Sequence, residues 1–226
     1  FDGDGNAVLF DVTAASHTYF EGLTFRNTEV AILAGRKRII GSEGLTVKRS
    51  RFENVGVGIT SDWSGSKNFY IADNVFVGRQ IPDHLMGWIG RTWQGFADFP
   101  VPLRSNAAVK VYGSGHVVAY NDISHFHDGV DHATYGTPDR DAQGRVIRER
   151  MPVSIDFEGN DIRDVDDNCI EADGAMYNIR ILRNRCFNQA HRALSAQPVF
   201  GGPAYFIGNR VYHAPEGVSL KMTANS

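Results

Sequence analysis

Surplus charge, cysteine and long apolar runs are all scarce in this sequence, and each scarcity excludes a class of protein. The 226 residues carry 23 basic and 26 acidic side chains, so the net charge is only −3. A nearly balanced chain has no electrostatic footprint for nucleic acid or an anionic membrane. No uninterrupted apolar run approaches the roughly 20 residues that a membrane span needs. We therefore expect neither a nucleic-acid partner nor a membrane span.

What the sequence has in their place is a repeat. Three segments in its last third follow one pattern: a hydrophobic residue, two residues, an asparagine, one residue and another hydrophobic residue. Their asparagines are Asn160, Asn184 and Asn209, with spacings of 184 − 160 = 24 and 209 − 184 = 25 residues. Self-similarity at such a period predicts a solenoid.

Earlier copies extend the repeat upstream. Their register residues are Thr28, Ser50, Asn74 and Asn121. Two steps in the series are long, 121 − 74 = 47 and 160 − 121 = 39 residues. They coincide with two stretches that lack the strand pattern, at about 79–106 and 133–151. We predict that both stretches are loops inserted into the repeating body.

The apolar residues of each copy alternate over about five positions, which is typical of a short strand with one buried face. No segment of useful length has the 3.6-residue period of a helix. We therefore predict an all-β fold, one parallel solenoid domain over residues 1–226. The repeated asparagine would stack at one turn, bond the neighbouring coil and adopt a left-handed conformation. Since neither end has a polar cap, we expect a piece of a longer protein.

The two cysteines fall at different places in the repeat. Cys169 lies nine residues after Asn160, whereas Cys186 lies two residues after Asn184. These positions do not coincide on successive coils, so we predict two small buried apolar side chains rather than a disulfide.

The copies of the repeat resemble the right-handed parallel β-helix superfamily, the pectin-lyase-like fold, over nearly the whole chain apart from the insertions. They lie around Ser50, Asn74, Asn121, Asn160, Asn184 and Asn209. Three segments, 126–131, 167–173 and 196–203, are also similar to bacterial β-helix repeat proteins of unassigned activity. The resemblance implies a right-handed helix and a secreted or periplasmic protein, although the chain does not begin with a signal-peptide pattern. Similar helices serve lyases, glycosidases, epimerases and tailspikes, so the resemblance selects no reaction.

The motifs of two such families are incomplete in this chain. Of the polygalacturonase motifs, Asp166-Asp167 supplies Asp-Asp, whereas the nearest matches to Gly-His-Gly and Arg-Ile-Lys are Gly115-His116-Val117 and Arg180-Ile181-Leu182. Pectate lyases use calcium and an Arg or Lys base. The chain has acidic clusters and Arg192 but no recognisable lyase block, so neither mechanism is carried over.

A first polar column is predicted seven residues after the asparagines. It contains Asp128 (121 + 7), Asp167 (160 + 7), His191 (184 + 7) and Glu216 (209 + 7). In a parallel coil these side chains would stack at roughly 4.8 Å, the spacing of neighbouring strands. Adjacent carboxylates repel, so the column indicates a cation, a proton or a substrate between them. A solvated face with turn caps would give the same pattern.

A second column follows from aligning Ile59, Val130, Ile170 and Leu194. Asp131 and Glu171 would then lie on adjacent coils about 5 Å apart, the separation of nucleophile and acid in retaining glycosidases. Two carboxyl groups at that distance push their pKa values apart, which leaves one ionised and one protonated. We predict four catalytic residues in the two columns: Asp131, Glu171, Asp167 and His191.

Residues that border the columns are candidates for substrate binding. They are Asp128, His132, Tyr135, Asp173, Arg192 and Gln197, together with Trp88 and Trp93 of the first insertion. Tryptophans in a long loop would stack on the apolar faces of sugar rings, or they would form a hydrophobic cluster that fixes the loop to the coil.

A calcium site is the alternative use of the acidic columns. Hard oxygen ligands from successive coils suit Ca²⁺, and the ligands would be Asp128, Asp131, Asp167, Glu171 and Asp173. Zinc is less favoured because the histidines are few and dispersed.

These patterns favour a protein that acts on a polysaccharide or oligosaccharide, and the leading hypothesis is a glycoside hydrolase. One rival is a calcium-dependent lyase that cleaves a uronic-acid polymer by β-elimination. The other is a non-catalytic glycan-binding or structural module.

Overall fold

The computed structural model describes residues 1–5, 7–36, 40–63, 65–80, 105–132, 140–145, 147 and 151–222. Within these ranges the secondary structure is β-strand, without helices. No helix in the described part of the chain is long and apolar enough to cross a membrane. The strands are β1 (Val8–Asp11), β2 (Tyr19–Glu21), β3 (Thr24–Leu33), β4 (Gly35–Arg36), β5 (Ile40–Gly41), β6 (Thr46–Lys48), β7 (Arg51–Thr60), β8 (Tyr70–Ala72), β9 (Val75–Gly78), β10 (Ala107–Lys110), β11 (Val117–Ala119), β12 (Asp122–Ser124), β13 (Asp128–Asp131), β14 (Val153–Glu158), β15 (Asp161–Val165), β16 (Asn168–Glu171), β17 (Tyr177–Leu182), β18 (Arg185–Gln189), β19 (Arg192–Val199), β20 (Ala204–Ile207), β21 (Arg210–Tyr212) and β22 (Glu216–Met222).

The strands form two large parallel sheets, and the predicted parallel solenoid is confirmed. Each coil places one strand in a seven-stranded sheet, in the order β2-β6-β8-β11-β14-β17-β20. The chain then turns into a 13-stranded sheet, so the solenoid has about seven turns. Strands β4 and β5 form a separate antiparallel pair.

The 13-stranded sheet has two arms. Strands β3 and β7 are ten residues long and run through both arms, whereas later coils contribute a separate strand to each. The predicted insertions coincide with strand ends. Strand β9 ends at Gly78 and β10 begins at Ala107, while β13 ends at Asp131 and β14 begins at Val153.

The interior of the solenoid is a column of stacked apolar side chains. Phe25, Phe52 and Phe76 are fully buried, and their rings stack with centroid distances of 4.8 Å and 4.4 Å. Burial of each ring contributes about 1.5–3 kcal/mol. Cys169 and Cys186 are also fully buried and form no disulfide, as predicted.

The repeated asparagines form the predicted ladder. The Oδ1 of each one accepts a hydrogen bond from the backbone N–H of the register residue on the preceding coil; for example, Asn121 N–H donates to Asn160 Oδ1 at 3.1 Å. The Nδ2 of Asn160 donates to the Val118 carbonyl at 2.9 Å. Because these buried amides satisfy backbone groups at the turn, they join successive coils.

Two details of the ladder differ from the prediction. The left-handed residue is the one before each asparagine, such as Tyr120 (φ 55°) and Arg183 (φ 54°), because that residue makes the turn. The first register residue is Leu23 rather than Thr28. Pairing of β3 with β7 sets Thr28 against Val55, and it is Leu23 whose N–H donates to Ser50 Oγ at 3.2 Å.

Candidate active site

A cleft of about 630 Å³ opens over strands β10, β13, β16 and β19, in the second arm of the 13-stranded sheet. It gathers eight of the residues predicted from sequence: Asp128, Asp131, Asp167, Glu171, Asp173, His191, Arg192 and Gln197. Most are charged at neutral pH when exposed, yet several are nearly buried here. Asp131 is 1% exposed and Glu171 is 6% exposed.

The predicted alignment of Asp131 with Glu171 is confirmed. The two residues pair across β13 and β16, and the core residues Val130 and Ile170 pair beside them. The alignment omitted one coil, however. Strand β10 lies between β7 and β13, and its Lys110 pairs with Asp131. The sequence feature that could have revealed this strand is the Ala-Ala-Val-Lys-Val segment directly after the first insertion, which has the alternation of a strand.

Lys110 forms an ion pair with Asp131. Its Nζ lies 2.6 Å from Asp131 Oδ2, and the two side chains are 21% and 2% exposed. Burial alone lowers the pKa of Lys110, but the adjacent Asp131 carboxylate and the Tyr112 side chain outweigh it and raise the pKa above its ordinary value. The ammonium therefore stays charged at neutral pH.

The first predicted column is correct for Asp167 and His191, which lie on adjacent coils in contact with each other, and wrong by one residue for Asp128 and Glu216. Pairing of Val130 with Ile170 sets Asp128 level with Asn168, whose N–H donates to Asp128 Oδ1 at 3.1 Å. Asp167 instead donates its N–H to the His127 carbonyl at 2.8 Å. The cause is turn length, since 128 − 121 = 7 residues separate Asn121 from Asp128 but 168 − 160 = 8 separate the equivalent pair on the next coil.

Asp128 is a buried carboxyl group beside other carboxyl groups. Burial, followed by the charges of Asp167 and Asp131, raises the pKa of Asp128 well above its ordinary value. Gly129 faces the core, where an added Cβ would lie 2.5 Å from the Cys169 carbonyl oxygen. A side chain at position 129 would therefore collide with the backbone of β16.

Glu171 and Asp173 form a second acidic pair. Asp173 Oδ1 accepts hydrogen bonds from Ser195 Oγ at 2.5 Å and from the Gln197 N–H at 2.6 Å. Burial outweighs these bonds and raises the pKa of Asp173. The side chain of Glu171 also hydrogen-bonds Asp173. The two carboxyl groups therefore lie in contact with each other.

Two histidines flank Asp167. His191 Nδ1 lies 2.7 Å from Asp167 Oδ1, and His127 Nε2 lies 3.7 Å from Asp167 Oδ2. His127 Nδ1 lies 3.1 Å from Asp166 Oδ2. A carboxylate only accepts hydrogen bonds, so His191 donates from Nδ1. His127 lines the cleft although its sequence position did not select it, because the histidine and Asp167 meet only across coils.

His132 does not belong to the cleft, so its predicted role in substrate binding is wrong. The side chain is fully buried, and its ring stacks on Phe157 with centroids 5.4 Å apart. Asp131 faces outward, so the next residue along the strand faces inward. Neither ring nitrogen has a hydrogen-bond partner in the described part of the chain, and burial lowers the pKa of His132 to about 4.

Three predicted binding residues lie outside the described residues: Tyr135, Trp88 and Trp93. Within the described ranges, no group of three or more His, Cys, Asp or Glu side chains is arranged to hold a metal ion. The carboxylates predicted to bind calcium face protein partners instead. Asp131 faces Lys110, Asp128 faces Asn168 and Asp173 faces Ser195.

Comparison with known proteins adds no family to this description. No protein-family model, no curated protein and no solved structure matches the chain. The cleft combines a carboxylate held against an ammonium with a neighbouring pair of carboxyl groups, and such groups suit general acid–base and nucleophilic chemistry.

Proposed function

We propose that this protein is a glycoside hydrolase that acts on a polysaccharide or oligosaccharide. The observation that carries the proposal is the pairing of Asp131 with Glu171 on neighbouring strands of the cleft. Neighbouring parallel strands lie roughly 4.8 Å apart, and retaining glycosidases hold their two carboxyl groups at about 5–5.5 Å. The strand pairing thus places the two residues at a backbone spacing close to the carboxyl separation that this reaction uses.

The environments of the two carboxyl groups suit different roles. Asp131 lies against the Lys110 ammonium, a setting that suits a carboxylate nucleophile. Glu171 pairs with Asp131 across the strands and lies beside Asp173, whose pKa is raised by burial, so we assign the acid to Glu171. Asp131 would attack the anomeric carbon while Glu171 protonates the departing sugar oxygen. Glu171 would then take a proton from water, and that water would release the sugar from Asp131.

Charge in the cleft supports a neutral or amino sugar as substrate. Among the described residues that line the cleft, the two cationic side chains of Lys and Arg type are both paired. Lys110 binds Asp131, and Arg192 Nε lies 2.7 Å from Glu216 Oε2. A uronic acid would bring its own carboxylate beside Asp128 and Asp167 without a free cation to receive it.

The same contacts exclude one base for the rival β-elimination. A lyase needs a base to remove the C5 proton, and Lys110 does not serve as that base, because its raised pKa keeps it protonated at neutral pH. The parallel solenoid also supports membership of the pectin-lyase-like superfamily, which we include in this proposal. A secreted or periplasmic location belongs to it as well, on the strength of the resemblance in sequence.

A polysaccharide panel tests the proposal. The protein is incubated with neutral, amino-sugar and uronic-acid polymers, with and without chelator, and two products are followed. We expect new reducing ends on a neutral or amino-sugar polymer, insensitive to chelator, without the ultraviolet absorbance of a new C=C bond. Glu171→Gln should lower turnover by about 10²–10⁴-fold, the usual contribution of a general acid.

Three outcomes contradict the proposal. Appearance of the C=C absorbance, lost with chelator, would establish a calcium-dependent lyase. Binding of a glycan without any turnover would establish a binding module. Full activity in a folded Glu171→Gln variant would remove Glu171 from the reaction.

A further inference from the structure

We infer that Lys110 is the positioning residue of this cleft: its ammonium fixes the Asp131 carboxylate, in place and in its charged form, against the surrounding acidic groups. The inference rests on the proposed hydrolysis for its role in turnover. The contact itself stands on geometry. The Nζ of Lys110 lies 2.6 Å from Asp131 Oδ2, within the range of a charge-assisted hydrogen bond.

The register of the sheet creates this contact. Lys110 on β10 and Asp131 on β13 are direct strand partners, so their side chains leave the sheet side by side. The Nζ also lies 6.0 Å from the centre of the Tyr112 ring. The ammonium is thus placed between a carboxylate and the face of an aromatic ring, two partners that both attract a cation.

The charges around Asp131 explain why a cation is needed there. Asp128 lies on the same strand, Glu171 pairs with Asp131 from β16, and Asp173 and Asp167 line the same cleft. Four acidic side chains thus surround Asp131. Of the groups that face Lys110, Asp131 and Asp128 are acidic and Tyr112 is a phenol with a pKa raised by burial and by Asp131. Lys110 is therefore the counter-charge for Asp131.

The activity test compares three lysine variants on the substrate that the panel identifies. Lys110→Met should lower kcat/KM by at least about tenfold and move the acid limb of its pH profile upward by about one pH unit, because a carboxylate without its cation takes up a proton more readily. Lys110→Arg should restore the position of the limb. Lys48→Met is the matched control, since Lys48 also lies over a tyrosine ring, that of Tyr19, but on the seven-stranded sheet.

A second test needs no substrate and no folded Lys110 variant. The Lys110 ammonium is titrated by nitrogen-resolved NMR in the wild-type protein and in Asp131→Asn. The pKa of Lys110 should lie above its ordinary value in the wild type and be lower in Asp131→Asn, because the neighbouring charge that raises it most is then removed while burial remains. Asp156→Asn on the other sheet should leave the titration unchanged.

The outcomes separate the two proposals. If the pKa of Lys110 is the same in the wild type and in Asp131→Asn, the inference is overturned, whether or not the protein hydrolyses a glycan. An unmoved acid limb in an active Lys110→Met variant overturns it as well. A titration that responds to Asp131→Asn, in a protein that cleaves no member of the panel, supports the ion pair and contradicts the hydrolase.

Discussion

The outer faces of the two parallel sheets place the same residue types in opposite settings. On the seven-stranded sheet Asp156 and Glu158 each form an ion pair with an arginine on the next coil. Asp156 pairs with Arg180, and Arg183 holds the pKa of Glu158 below its ordinary value. In the cleft Asp131 has Glu171 as its neighbour, and the pKa of Asp128 is raised.

This difference shows that the same strand spacing gives different chemistry on the two faces. Strand spacing is the same on both faces, so it does not decide the chemistry. What differs is burial and the sign of the neighbouring charge. Opposite charges on paired, solvent-accessible positions form ion pairs that contribute little to stability. Like charges on buried, paired strand positions repel and lower the stability of the fold. Such an unfavourable arrangement is expected where a protein binds or transforms a ligand.

The largest expected difference between the faces is in turnover. Asp131→Asn and Glu171→Gln should each lower hydrolysis by about 10²–10⁴-fold, since each removes a group that acts in the reaction. Asp156→Asn and Glu158→Gln make the same chemical changes on the seven-stranded sheet and should leave activity within about twofold of the wild type. Equal losses on both faces, measured as initial rates of reducing-end release, would contradict the site.

The next difference is in the cost of removing a cation. Lys110→Met leaves the buried Asp131 without its partner and should lower the free energy of unfolding by about 3–5 kcal/mol. Arg180→Met removes the partner of Asp156 at a partly exposed position, where solvent screens the charges, and should cost at most about 1 kcal/mol. Urea denaturation at neutral pH measures both changes. Similar costs would show that Asp131 is solvated rather than buried.

The core beneath the cleft should respond to pH. Burial lowers the pKa of His132 to about 4, whereas an exposed histidine has a value near 6.5. The unfolded chain therefore binds more protons between these values, and the free energy of unfolding should fall as the pH falls through this window. The contribution of this one histidine is on the order of 3 kcal/mol.

His132→Leu removes that proton uptake while keeping an apolar contact with Phe157. Its stability should change less between pH 7 and pH 4 than that of the wild type, in paired urea denaturation series (about 3 kcal/mol less at the full shift). Carboxylates elsewhere act equally in both proteins, so the difference isolates His132. Parallel curves for the two proteins would show that water or a proton already reaches the ring.

The smallest expected difference between the faces is in the free energy of unfolding when a single acidic residue is neutralised. The pKa of Asp128 is raised in the fold, so the contribution of this group to the free energy of unfolding falls as the pH rises through the folded pKa. Asp128→Asn keeps the acceptor for the Asn168 N–H and should stabilise the protein by about 1 kcal/mol at pH 7, with a smaller gain at pH 4.

Glu158→Gln should have the opposite sign. Arg183 lowers the pKa of Glu158, so its ionised form stabilises the fold above the unfolded pKa, and that contribution is lost as the pH falls. The variant should therefore be destabilised at pH 7. Thermal unfolding of both variants at two pH values checks the signs, and a shared sign would remove the contrast between the faces.

The repeat period alone predicted much of this molecule. Period-two alternation specifies short strands with one buried face, and the spacing of the asparagines specifies a parallel coil with a ladder at one turn. The alignment of Val130 with Ile170 depends on that pattern alone, which is why the pairing of Asp131 with Glu171 was visible in the sequence. The burial of Cys169 and Cys186 followed from the same register.

Tertiary structure decided what depends on turn length and on contacts between coils. One additional residue in the turn after Asn160 moves Asp167 out of the column of Asp128, and a one-residue slip sends a side chain to a different neighbour. The first insertion interrupts the repeat before β10, so the sequence alignment missed this strand. The pairing of Lys110 with Asp131 is seen only in the folded sheet. The alternation of apolar residues is a local property of the sequence. The charge that faces the buried Asp131 comes instead from β10, a strand that lies elsewhere in the chain.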